Sequence, residues 1–225
     1  MNNPTKLRAV VYIDGFNLYY GCLKGSKYKW LDLSALSKQL LYEGQYQIEK
    51  IKYFTARIID EDGSGTATRQ GFYFKALSSI PILEIHFGKF KKREKTVKMI
   101  PPMKILIENP INKSQTVVEK TYVKGISYEE KGTDVNLASH LMIDLYENKF
   151  DVAMVISNDS DYLFSLGHVR EKGKGLFIIN TRLDSLPQHE LKHLSLGKKK
   201  LSAEKLQKSQ FAENVNGVRI PKEWE

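Results

Sequence analysis

The chain has 225 residues, 41% of them hydrophobic, and a formal net charge of +9, which suits one domain with elaborations around a proper core. Its single cysteine, Cys22, excludes an internal disulfide framework and a cysteine-based zinc cage. No run approaches a membrane span and no leading apolar segment resembles a signal peptide, so the expectation is a cytoplasmic protein with no membrane contact.

"RAVVYID" (8–14) predicts a buried strand that stops on Asp14. "LDLSALSKQLLYEG" (31–44) predicts a helix, because Leu33, Leu36, Leu40 and Leu41 recur at helical spacing between a capping Asp32 and a terminating Gly44. "YQIEKIKYFTARI" (46–58) reads as a second strand, "GTATRQGFYFKALSS" (65–79) as a helix and "PILEIHFGKF" (81–90) as a third strand. From about 91 to 128 the pattern changes. Pro101, Pro102 and Pro110 punctuate short β-rich pieces around "NPINKS", which predicts an inserted β-hairpin or excursion and not a separate domain. The α/β rhythm then resumes with a helix over 133–148, a buried strand over 151–159, a helix over 160–173 and a strand over 174–180. The basic tail offers short helices near 187–194 and 202–210. Short connections between alternating strands and helices predict a doubly wound α/β fold whose ligands sit at the carboxyl ends of the strands.

The cationic excess is clustered in "KFKKREKTVK" (89–98) and "LGKKKLSAEKLQK" (196–208). Such runs suit a polyanion, whose phosphates release counterions when neutralised; a solvated, solubilising surface is the plainer reading of either run alone. Four carboxylates fall at special places instead. Asp14 ends the first strand, Asp159 ends "VAMVISND", Asp161 opens the next helix, and Asp134 lies in the first turn of its own helix. Singly, each could cap a helix or close a turn. Together they would repel one another unless a divalent cation sat among them. Magnesium or manganese held there, as one ion or two, would activate water for in-line phosphoryl displacement.

"VVYIDGFNLYYG", "KYFTAR", "EEKGTDVNLA" and "VISNDSDY" stand in the order and spacing of NYN-domain proteins of the LabA-like group, relatives of PIN-domain ribonucleases, and the chain resembles them over roughly residues 8–180. "SQF" (209–211) and the closing "IPKEW" are similar to the same group. The resemblance implies a PIN-like three-layer α/β/α sandwich with a mainly parallel sheet. It also implies a Mg²⁺- or Mn²⁺-dependent nuclease acting on RNA, single-stranded by expectation, with a homodimer left open. By the same resemblance, Asp14, Asp134, Asp159 and Asp161 hold the metal and Asn17 orients a metal-bound water or a phosphate oxygen. Ser157 and Asn158 support the site. Lys131, after which Gly132 leads into Asp134, is a candidate for a phosphate contact or for transition-state charge, with a solvated lysine as the plainer alternative. The nuclease domain is placed at 1–185, with the insert at 91–128 and a basic extension at 186–225.

Arg57 and Arg69 are further candidates for the nucleic-acid backbone, with surface ion pairs as the plainer alternative. Tyr19 and Tyr20 could stack on bases, although core packing competes. His86, His140 and His168 lack the spacing of a histidine metal cluster, and there is no GxxxxGK[ST] loop or nucleophile signature. The runner-up function is an RNA-binding or regulatory module that keeps the metal pocket but cleaves slowly or not at all.

Overall fold

The computed structural model describes residues 5–60 and 63–224. Its centre is a five-stranded sheet in the order β3-β2-β1-β6-β7, formed by β1 (Leu7–Asp14), β2 (Tyr46–Thr55), β3 (Leu83–Phe87), β6 (Val152–Ile156) and β7 (Gly175–Ile179). Every neighbouring pair is parallel. The chain builds outward from β1 to β3, then returns to the other side of β1 for β6 and β7. That reversal places the topological switch point between β1 and β6, where doubly wound sheets bind their ligands.

The continuous apolar run of β1 follows from burial on both faces. Val11 and Ile13 join one cluster, with Leu33 and Leu36 of α2 (Leu33–Leu40) and Phe74 and Leu77 of α3 (Thr66–Leu77). Val10 and Tyr12 join the opposite cluster, with Leu137 and Leu141 of α4 (Thr133–Tyr146) and Leu166 and Val169 of α5 (Leu163–Glu171). Thus α2 and α3 cover one face, and α4 and α5 the other. The result is the expected three-layer α/β/α sandwich. The tail is tied to the first face: Trp30 Nε1 donates to the Ala212 carbonyl at 2.8 Å, and its ring packs against Phe211 and Trp224. No helix among the described residues is long and apolar enough to cross a membrane.

Phe90–Lys131 forms a second compact unit. It is a hairpin ribbon of β4 (Lys89–Glu108) and β5 (Gln115–Lys131), closed by a turn in which Asn109 Oδ1 accepts the Ile111 N–H at 2.9 Å. The short β-rich pieces expected from the sequence are therefore two long strands, and the ribbon runs to Lys131 instead of stopping near 128. Pro101 and Pro102 lie inside β4, not between pieces. Each strand of a two-stranded ribbon has a free edge, so one of two successive prolines can face outward and break no ladder bond, while the other forgoes one. Ten Lys and Arg against five Glu make this unit strongly basic.

A charged pair lies within the sandwich. Lys52 Nζ sits 2.6 Å from Asp144 Oδ2, and the Tyr12 hydroxyl donates to the same oxygen at 2.7 Å. Removing one partner of a buried pair strands the other charge. Asp144→Ala is therefore expected to lower stability by about 3–5 kcal/mol, read from urea unfolding, and the double variant Lys52→Met/Asp144→Leu to recover most of that loss.

Candidate functional site

Asp14 closes β1 with its carboxylate only 4% exposed. The chain must turn immediately, and Gly15 lets it do so against β2: a Cβ there would lie 2.7 Å from the Phe54 carbonyl oxygen. Asp14 Oδ1 accepts the Asn17 N–H at 2.9 Å, capping the four-residue helix α1 (Gly15–Leu18). A π-helical turn, Tyr19–Leu23, follows directly. Neither piece is evident in the apolar periodicity, which breaks at "DGFN". Gly21 brings this turn onto the chain leaving β7, since a Cβ would meet Thr181 Oγ1 at 2.4 Å.

From β6, the Ser157 hydroxyl donates to Asp14 Oδ2 at 3.0 Å and accepts the Asp159 N–H at 3.2 Å. Asp159 Oδ1 in turn accepts the Asp161 N–H at 2.9 Å, capping the 3₁₀ turn Ser160–Tyr162. From α4, Asp134 projects in the first turn after Gly132, whose φ of 97° suits glycine. The Tyr162 hydroxyl lies between two carboxylates, 2.8 Å from Asp134 Oδ1 and 3.3 Å from Asp14 Oδ2.

One oxygen each from Asp14, Asp134 and Asp159 lies within 4.8 Å of the others. Burial pushes the Asp14 carboxyl up to about 6, and the charge on Asp134 adds to the rise. Hydrogen bonds from Asn17, Ser157 and Tyr162 oppose it. The Tyr162 phenol is driven upward by burial and by the neighbouring carboxylates. An all-oxygen set of this kind could hold a hard divalent cation, which would offset both the repulsion and the desolvation.

The remaining sequence candidates make contacts of their own. Asp161 is exposed and lies outside the three. Asn17 is a clamp: its Oδ1 accepts the Asn158 N–H at 3.1 Å and the Thr181 hydroxyl at 2.7 Å, so its Nδ2 points elsewhere. Asn158 Oδ1 accepts the Gln188 N–H at 3.3 Å. Lys131 ends the ribbon, with Nζ 3.6 Å from Glu129. The Arg57 guanidinium lies 4.5 Å from the centre of the Phe87 ring. Arg69 bonds Thr66 and Glu223. Neither arginine joins the carboxylate group. The His86 ring stacks on Phe54, and the His140 ring lies tilted against both.

Sequence reasoning missed Tyr162, Thr181 and Arg182. Thr181 and Arg182 lie just past β7, as Ser157 and Asp159 lie just past β6. The strand-end rule that singled out the aspartates therefore applied to them too. Tyr162 stood inside the quoted "SNDSDY", but a tyrosine opening a helix carries no signal of a partner in α4.

Because the folded-state pKa of Asp14 lies above its ordinary value, the folded protein keeps a proton that the unfolded chain has lost. Stability linked to Asp14 is therefore full below about pH 4 and is lost as pH rises through about 6, a fall of roughly 2–3 kcal/mol. Thermal unfolding in EDTA should show this decline over pH 4–7 in the wild type, less of it in Asp14→Asn, and a reversal with Mn²⁺.

The NYN domain family profile matches residues 8–193. The chain is similar to 6-hydroxy-3-succinoylpyridine 3-monooxygenase of Pseudomonas putida, at 33% identity over 180 residues, covering 73% of this chain and 56% of that protein. It thus spans little more than half the length of that relative. A solved structure of a protein of unknown function from Vibrio parahaemolyticus matches with a TM-score of 0.54 at 13% identity, covering 90% of this chain and 98% of that one. At that identity the likeness bears on the fold alone.

Proposed function

Because the chain belongs to the NYN domain family, part of the PIN-like nuclease superfamily, we propose that it is a metal-dependent ribonuclease of the LabA-like group, hydrolysing phosphodiester bonds within single-stranded RNA. The observation that carries this reading is the convergence of Asp14, Asp134 and Asp159 at the switch point of the sheet. On this reading the three carboxylates hold Mg²⁺ or Mn²⁺. The ion supplies a water of lowered pKa and neutralises charge on the phosphate. Ser157 and Tyr162 fix the carboxylate planes of Asp14 and Asp134, and Asn17 locks the segments after β1, β6 and β7 together. Asp161 is left for a second ion. Basic side chains supply backbone affinity with little sequence readout.

The named relative motivates a second reading, in which the site takes a small heteroaromatic acid for hydroxylation. That reaction also needs dioxygen and a two-electron donor.

Labelled single-stranded RNA, incubated with Mn²⁺, Mg²⁺ or EDTA beside a matched DNA strand, separates the readings. Cleavage should require metal and fall by roughly a hundredfold or more in Asp134→Asn and Asp159→Asn. Tyr162→Phe, which loses a group orienting a ligand, should fall by roughly ten- to a hundredfold. RNA bound but uncleaved under every metal condition would indicate the regulatory module. Turnover of a hydroxypyridine acid with dioxygen and a reductant, RNA staying intact, would indicate the second reading.

A further inference from the structure

A cavity of about 360 Å³ shares Asp159 with the carboxylate group and extends from it toward the chain that leaves β7. Its size is that of a small-ligand site, and its lining is rich in donors. Asn17 Oδ1 already accepts two hydrogen bonds and Asn158 Oδ1 accepts one, so both side chains offer their amide nitrogens. Arg182 lines the same space, exposed, and its guanidinium makes no hydrogen bond or ion pair among the described residues. Tyr20 forms another wall. The residue is 63% exposed, yet its ring is braced edge-on by Tyr19 at 5.3 Å, and the Lys24 ammonium lies 4.9 Å from the ring centre. Tyr19 itself packs on the core. A single exposed aromatic needs no explanation. A braced aromatic, an unpaired arginine and two spare amides around one cavity, beside three carboxylates, form a chemically sorted space: negative where a cation would sit, cationic and donating where an anion would go.

A planar heterocycle linked to a phosphate fits that order. We propose that the cavity is a subsite for one unstacked nucleotide adjoining the scissile phosphate of single-stranded RNA. Tyr20 stacks on the base, Arg182 takes the neighbouring phosphate, and the Asn17 and Asn158 amides donate to oxygens of the base or ribose. The inference deepens the ribonuclease reading and rests on it. It also gives a reason for single-strand preference, because a base held in a duplex is not free to lie on Tyr20.

The test is binding of a fluorescent oligouridylate in Mg²⁺, in an Asp134→Asn background that keeps the strand intact, together with cleavage by the otherwise wild-type chain. Tyr20→Ala should weaken binding by about tenfold, Tyr20→Phe should restore it, and the Tyr20→Ala loss should vanish on an abasic strand. Arg182→Gln should weaken binding to both strands and lower the salt slope by about one. Both side chains are exposed, so the variants should unfold at the parent temperature. If the wild type cleaves but Tyr20→Ala and Arg182→Gln bind like the parent, the subsite is wrong and the ribonuclease reading stands. If the wild type neither binds nor cleaves RNA, that reading fails and the subsite with it.

Discussion

Everything at this site depends on a carboxylate that the fold forces out of water. Asp14 ends the central strand of a sheet covered on both faces, so its side chain cannot be solvated as a surface aspartate would be. A buried charge is tolerated only with partners. Asn17 N–H, the Ser157 hydroxyl and the Tyr162 hydroxyl provide them. These groups come from two stretches of chain, the turn after β1 and the segment after β6, and the Tyr162 hydroxyl also reaches Asp134 of α4. The same hydrogen bonds that support Asp14 therefore also bring Asp159 and Asp134 beside it. They do not fully compensate, and the raised pKa of Asp14 records the deficit. A divalent cation would remove it.

The sandwich delivers this convergence without a dedicated loop. Once the chain reverses direction at β1, the ends of β1 and β6 lie side by side at the switch point, and the first turn of α4 reaches the same place. Small residues handle the crowding. Gly15 passes under the Phe54 carbonyl, and Gly21 lets the π-helical turn rest on Thr181. The same close approach sets one wall of the neighbouring cavity, which is why the carboxylates and a donor-rich space share an edge.

Much of this was legible in the sequence. The strands over 8–14, 151–159 and 174–180 are nearly unbroken apolar runs, as a sheet buried on both faces requires, and the aspartates that end the first two stood out against that background. The helical turn after Asp14 was not legible. It is held by Asn17, Thr181 and the fit of Gly21, contacts between residues more than 150 positions apart. Tyr162 was hidden for the same reason, since its partner Asp134 lies in another helix. The inserted hairpin was legible, but the length of its two strands was not, because prolines read as punctuation and mean less where each strand has a free edge.

The measurement that bears most directly on the central claim is calorimetric titration of the metal-free protein with Mn²⁺ near pH 6, in two buffers of different ionisation enthalpy. If Asp14, Asp134 and Asp159 hold the cation, binding is saturable, releases part of a proton from Asp14, and loses that release near pH 8, where the carboxyl is already ionised. Asp134→Asn should bind more weakly, and Asp14→Asn should bind without the proton. Absence of saturable binding, or binding unchanged in both variants, would contradict the account.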